Sequence, residues 1–521
     1  MRKSPIFNTA HSLDRAARAH SDRASIHYGA RTYTVLEAAL ATRRLAQLLA
    51  QAGVAQGDRV ALISHNSPYH LLLHVACARL GAVFVPISHR LVRQELESLV
   101  AFTAPRVVVA EPEIAEVGRF ATPDMHFVID DDPAASSFKP ALSQGYLALA
   151  AAADAFDAHL IIPDPQGLSA LNTREYPEGP AAILFTSGTA GIPKAVELTH
   201  EHLWWGSRNF REGFEYSNLD VELVVAPMTH IGGFNGTTLD LFTHGGTVVV
   251  VREFEPGNVL AQLAEHKVSI MFGVPTMYAA LVTHPDFSET DLSAFRLPLM
   301  GGAVVPAPLL GRLASRGLRP LNVWGMTETS ASGCYLPFEL AAEHPGAIGR
   351  PFAHVQARIV DSNGDDAVEG ELLVRGPNVI TSYWHNEAAT AESFTGGWLR
   401  TGDLVRMDEG GQLWVVGRLH QLINSGGEKI VPQEVEAALA SVPGVADVVV
   451  VGVPDETWGE TVAAVVVATP GEEPPTLEAM RSLETIARYK LPRALAIVEA
   501  LPVNGNGKVD RVVAAQVFRA E

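Results

Sequence analysis

Cysteine is almost missing. The 521-residue chain holds two, Cys77 and Cys334. That excludes a disulfide framework, and with no C-x-x-C partner for either it excludes a thiolate metal centre. Each is expected to be a small core or near-core residue. Lysine is scarce as well: seven lysines stand among 39 basic residues, against 58 acidic ones, for a formal net charge of −19. That balance argues against nonspecific nucleic-acid binding, which depends on neutralising phosphates. An anionic cofactor must then be held by local positive features. No uncharged apolar run approaches the length that spans a bilayer. Met1-Arg2-Lys3-Ser4 runs into His11, Asp14, Arg15 and Arg18 with no apolar segment of signal-peptide type, so a cytoplasmic protein is expected. Internal repeats and sustained low-complexity tracts are also lacking.

What is there reads as an ordinary globular chain, 47% hydrophobic and 19% charged, too long for a single core. Apolar spacing is helical between residues 12 and 52, especially at Leu36, Ala39, Leu40, Leu45, Leu48 and Leu49. Strand-like and helical runs then alternate: 60–63, 71–80, 83–85, 91–102 and 107–109. That alternation predicts a parallel sheet layered with helices, an α/β class. Residues 134–178, rich in Ala, Asp, Pro and Ser, read as a loose connection. Further buried strands are expected at 221–226, 247–251, 269–272, 297–300 and 320–324. Three of these end in polar or Gly-rich segments, which is how an open α/β sheet builds a ligand crevice. Residues 346–417 shift to shorter runs with polar turns, read as an antiparallel sheet or small barrel. Beyond Arg418 a compact α+β unit of a size able to fold alone is legible.

Five motifs carry chemistry. Thr186-Ser187-Gly188-Thr189-Ala190-Gly191-Ile192-Pro193-Lys194 lies between two strand-like runs. Its glycines let N–H groups converge, its hydroxyls add donors, and Lys194 adds charge, so it is a candidate anion cradle, with a ligand-free surface loop as the alternative. It is not the common NTPase P-loop, since the Gly-Lys-[Ser/Thr] ending is missing. In Trp324-Gly325-Met326-Thr327-Glu328 the indole offers a face for a base, while Thr327 and Glu328 suit a phosphate and a magnesium ion, which takes hard oxygen ligands. The others are Trp398-Leu399-Arg400-Thr401-Gly402-Asp403-Leu404, the Gly-rich run His420 to Pro432, and Asn504-Gly505-Asn506-Gly507-Lys508. Taken singly, several of these are sufficiently explained as turns.

In this order they resemble the adenylate-forming superfamily of acyl- and aryl-CoA synthetases, adenylation domains and luciferases, over nearly the whole chain. The departures are Ala190 for Thr, Ala195 for Gly, Trp324 for Tyr and Gln421 for the usual Asp or Lys. The resemblance implies a large N-terminal domain (1–418) of layered α/β subdomains with a small β-barrel-like subdomain. A small mobile α+β lid (419–521) follows, hinged at Gln421. It implies that ATP is bound by Thr186, Ser187, Gly188, Thr189, Lys194, Gly302, Ala303, Asn322, Trp324, Thr327, Asp403 on the ribose, and Arg418. Catalysis falls to Lys508, Thr327 and Glu328, the last also the Mg²⁺ ligand. The acid is bordered by His230, Phe234, Asn235, Gly301 and Met326, and Gly426 and Gly427 line an acceptor tunnel. The implied reaction converts a carboxylic acid and ATP to an acyl-adenylate and pyrophosphate, then passes the acyl group to CoA. An amine acceptor, or a carrier protein, stays open as the alternative, as does a homodimer. A nucleotide sensor without catalysis is opposed by the presence of Glu328, Asp403 and Lys508. A luciferase-type oxygenase has only the fold in its favour.

Overall fold

The computed structural model describes residues 7–116, 118–132, 137, 139–156, 179–186, 194–303, 305–425, 428–455, 457–503 and 509–519. They form two compact units, Met1–Gln356 with Val374–Leu399, and Ala357–Leu373 with Arg400–Glu521.

The first unit contains two sheets. One runs in the order Leu147–Ala148, Met125–Val128, Val107–Ala110, Arg59–Ser64, Val83–Ser88, Pro180–Thr186, Lys194–Thr199, parallel except for its last hairpin. The other is nine-stranded, with Leu321–Trp324, Leu297–Gly301, Ile270–Gly273, Val221–Val224, Thr247–Val250 and Ala24–Tyr28 parallel at its centre and antiparallel strands at both edges. The expected alternation is therefore present. Its parallel strands are mostly apolar, as strands buried on both faces are. Cys77 and Cys334 are buried and unpaired.

The continuous helical reading of residues 12–52 is corrected. The helix Thr9–Ala19 gives way to an antiparallel pair, Ala24–Tyr28 and Arg31–Thr34, before the helix Val35–Gln51 begins. Gly29 at φ +54 makes the turn. Thr34 then stops the strand by capping the next helix: its Oγ1 accepts from Glu37 N at 3.2 Å, and Glu37 Oε2 accepts from Thr34 N at 2.8 Å. The described part of the 134–178 connection also holds short elements, Lys139–Ser143, Leu147–Ala148 and Leu149–Asp154.

Glu222 lies in the middle of this apolar sheet, on the central strand Val221–Val224, 1% exposed. Thr237 and Thr238 donate to its Oε1 at 2.6 and 3.1 Å. Burial nevertheless dominates and pushes its carboxyl up to about 8. The folded chain then holds this proton where the unfolded chain has released it. The stability it contributes is complete below the ordinary carboxylate range and is lost as pH rises towards 8, at a slope of at most about 1.4 kcal/mol per pH unit. Glu222→Gln keeps the acceptor for both threonines without the titration. By differential scanning fluorimetry it should melt several degrees above wild type at pH 8 and close to it at pH 5.

Trp398–Met407 and Leu413–Arg418 belong to a five-stranded sheet whose described pairings are antiparallel. A further sheet follows, built around the long hairpin Val445–Asp455 and Gly459–Ala468, with Ala494–Val498 added in parallel and the helix Pro432–Leu439 packed on it. The helix expected over 477–488 is shorter, Leu477–Arg481, because Ser482 ends it and Leu483 and Ile486 then turn towards the core.

Candidate active site

In the first unit the expected residues gather at the C-terminal ends of the strands. Thr186 and Lys194 are register partners that close the hairpin Pro180–Thr186 and Lys194–Thr199. Ser187, Gly188 and Thr189, in the loop between them, lie outside the described residues.

The strand Leu321–Trp324 ends in the turn that carries Thr327 and Glu328. A Cβ on Gly325 would come within 2.0 Å of the Ala331 carbonyl oxygen, so only glycine permits this turn to close. The buried Trp324 ring packs against Gly333, where a Cβ would stand 2.2 Å from it. Thr327 and Met326 are half-buried and Glu328 is buried. Asn322 is buried, its Nδ2 donating to Ala347 O at 2.7 Å. Gly301 is buried, while Gly302, at φ +81, and Ala303 are exposed just past the neighbouring strand.

Lys194 and Glu328, 134 positions apart by number (328 − 194), are joined by a residue the sequence reading missed. Lys194 Nζ sits 4.9 Å from the centre of the Tyr383 ring, and the Tyr383 hydroxyl donates to Glu328 Oε1 at 2.9 Å. Tyr383 also bridges Val196 on the same hairpin, and Ile380 N donates to Glu328 O at 2.9 Å. Burial and the adjacent carboxylate both raise the Tyr383 phenol above its ordinary range. It therefore stays a donor at any working pH. A buried carboxylate with one oxygen fixed by a phenol is the hard, oriented oxygen donor that Mg²⁺ takes, so Glu328 fits that ion.

His230 is half-buried after the strand Val221–Val224, heading the short helix Ile231–Phe234. Phe234 and Asn235 are fully buried behind it. Phe234 packs on the His74 and Phe84 rings. Asn235 is tied to Ser207, Leu203 O and Ser330 O, which links the His230 segment to the turn after Glu328.

In the second unit, Asp403 and Arg418 are register partners joined by an ion pair of 2.7 Å, with Asp403 buried and Arg418 half exposed. Asp403 N also donates to Thr401 Oγ1 at 3.1 Å, holding the Thr-Gly-Asp turn. Gln421 Oε1 accepts from Gln433 Nε2 at 2.7 Å. Gly426, Gly427 and Lys508 lie outside the described residues. The base of the segment carrying Lys508 is described: Val503 pairs with Val509, and Asp510 N donates to Pro502 O at 2.8 Å.

Comparison with known proteins decides the family. The AMP-binding enzyme model matches residues 13–384, and the AMP-binding enzyme C-terminal domain matches residues 434–508. The chain belongs to the AMP-binding enzymes. It is 36% identical over 500 residues to a feruloyl-CoA synthase of Amycolatopsis sp., covering 95% of this chain and 96% of that enzyme. It is 35% identical over 507 residues to the indoleacetate–CoA ligase of Aromatoleum aromaticum, covering 95% of both. Among solved structures, the amide bond synthetase McbA of Marinactinospora thermotolerans superposes with a TM-score of 0.83 at 26% identity, covering 99% of this chain and 100% of that one. The AMP-binding fold, a large N-terminal and a small C-terminal domain, is thus established along the chain. Among the described residues, no helix is long and apolar enough to cross a membrane.

Proposed function

We propose that this AMP-binding enzyme is an acid–thiol ligase that activates an aromatic carboxylic acid with ATP and passes the acyl group to CoA. The observation that carries the reading is the Lys194–Tyr383–Glu328 contact, which supports a cation and an oriented carboxylate acting together on a bound nucleotide. The aromatic preference follows the two relatives, whose names specify feruloyl and indoleacetate groups. The enzyme works in the cytoplasm.

The acid enters beside His230, between Gly301 and Met326, with Phe234 and Asn235 shaping the pocket from behind. The loop from Thr186 to Lys194 holds the β- and γ-phosphates, Trp324 lies against the adenine, and Asp403, oriented by Arg418, accepts from the ribose hydroxyls. Glu328 would hold Mg²⁺, which when bound neutralises triphosphate charge. A carboxylate oxygen attacks the α-phosphorus and the bond to pyrophosphate breaks; Lys508 stabilises the charge that develops on the α-phosphate. Residues 419–521 then swing about Gln421, and the Gly426-Gly427 segment lines the acceptor path. The thiol sulfur attacks the acyl carbonyl, the bond to AMP breaks, and the thiol proton leaves to solvent.

The acceptor is tested by offering CoA, a panel of amines and a carrier protein to enzyme, ATP and ferulate or indoleacetate, with mass spectrometry of the products. Acyl-CoA should dominate. An amide as the main product would favour the second reading, an amide synthetase, which the similarity to McbA supports.

A further inference from the structure

One cluster of ligating side chains lies outside everything assigned above. The adjacent parallel strands Arg59–Ser64 and Val83–Ser88 are in register, Ser64 opposite Ser88, so His65 and His89 emerge side by side one position beyond their ends. Their rings stack with centres 3.6 Å apart. Glu253 approaches from the other sheet, three residues past the strand Thr247–Val250, and its Oε1 lies 2.7 Å from His65 Nε2. One donor atom from each of the three residues lies within 4.8 Å of the others.

The remaining ring nitrogens are already engaged. His65 Nδ1 meets Glu111 Oε2 at 2.5 Å, and His89 Nδ1 meets the Ser64 carbonyl oxygen at 3.3 Å. Glu111 is fully buried and is held in turn by Arg252 at 2.9 and 3.1 Å. When each Nδ1 donates to an oxygen, the tautomer presents Nε2 as a lone-pair donor, the second-sphere arrangement that orients histidine ligands around a metal. Two imidazoles and a carboxylate suit a first-row divalent cation such as zinc far better than magnesium. Glu253, 64% exposed, has the freedom to adjust to such a cation.

We propose that His65, His89 and Glu253 bind one divalent transition-metal cation, zinc foremost, which clips the ends of the two sheets together. The clip is coupled to the acid-binding segment. Asn66, next to His65, donates to Ala226 O at 3.0 Å and accepts from Met228 N at 2.8 Å, just ahead of His230.

The test uses the full-length enzyme freed of metal with a chelator and titrated with zinc in the absence of nucleotide. Equilibrium dialysis with metal analysis should find one zinc per chain. Glu253→Gln, at an exposed position that does not threaten folding, and His89→Gln should each weaken binding at least tenfold. Zinc should raise the melting temperature of wild type and not that of Glu253→Gln. No stoichiometric zinc in wild type, or zinc retained undiminished in both variants, overturns the proposal and leaves Glu253 as a simple ion-pair partner of His65. Magnesium in place of zinc should give no such stabilisation, and equal stabilisation by it would contradict the histidine donor set.

Discussion

Replacing Lys508 by alanine is expected to reduce acid-dependent exchange of labelled pyrophosphate into ATP by about 10²–10³, the loss that follows removal of one group aimed at transition-state charge. Turnover of a supplied acyl-adenylate with CoA should change far less, because the proposed swing about Gln421 brings the Gly426-Gly427 segment to that step in place of Lys508. The contrast matters more than the loss alone: a merely unfolded variant fails in both assays. The position is suited to the task. Val503 and Val509, which flank the segment that carries the lysine, pair with each other, and both valines are exposed. Equal loss in the two half-reactions would refute the assignment of Lys508 to adenylation.

Glu328→Gln should lower kcat/KM for ATP by at least 10², and Tyr383→Phe by about tenfold, consistent with loss of a charged ligand and of a hydrogen bond that orients it. The two variants differ in what rescues them. In Tyr383→Phe the carboxylate remains but has lost the 2.9 Å hydroxyl contact, so raised Mg²⁺ should recover much of the rate. In Glu328→Gln the anionic oxygen itself is gone and Mg²⁺ should recover little. Because the Tyr383 phenol is raised above its ordinary range, the Tyr383→Phe effect should be flat across neutral and alkaline pH. Identical magnesium titrations for wild type and Tyr383→Phe would remove Tyr383 from the site and leave it a packing residue of the hairpin.

Much of the layered architecture was legible because buried parallel strands are written as unbroken apolar runs, as at 107–109 and 247–251. The Thr-Glu turn was legible for a different reason: a Gly-containing bend with a fixed carboxylate is a local arrangement. What escaped was non-local or short. Tyr383 follows no motif and meets Glu328 only through the fold, across 55 positions. The hairpin of Ala24–Tyr28 and Arg31–Thr34 vanished inside a window of helical spacing because four or five residues cannot outvote the two helices beside it. The depth of Phe234 and Asn235 behind His230 is likewise set by packing from distant segments, His74, Phe84 and Ser330. The His65–His89 pair depends on strand register, which spacing along the chain does not reveal.

The most direct measurement is product analysis of the intact enzyme with ATP, Mg²⁺, CoA and a panel of aromatic and aliphatic acids. The account predicts AMP, pyrophosphate and one acyl-CoA per ATP consumed, appearing only when a suitable acid is present. ADP and phosphate as products, or AMP formation indifferent to every acid supplied, would contradict it.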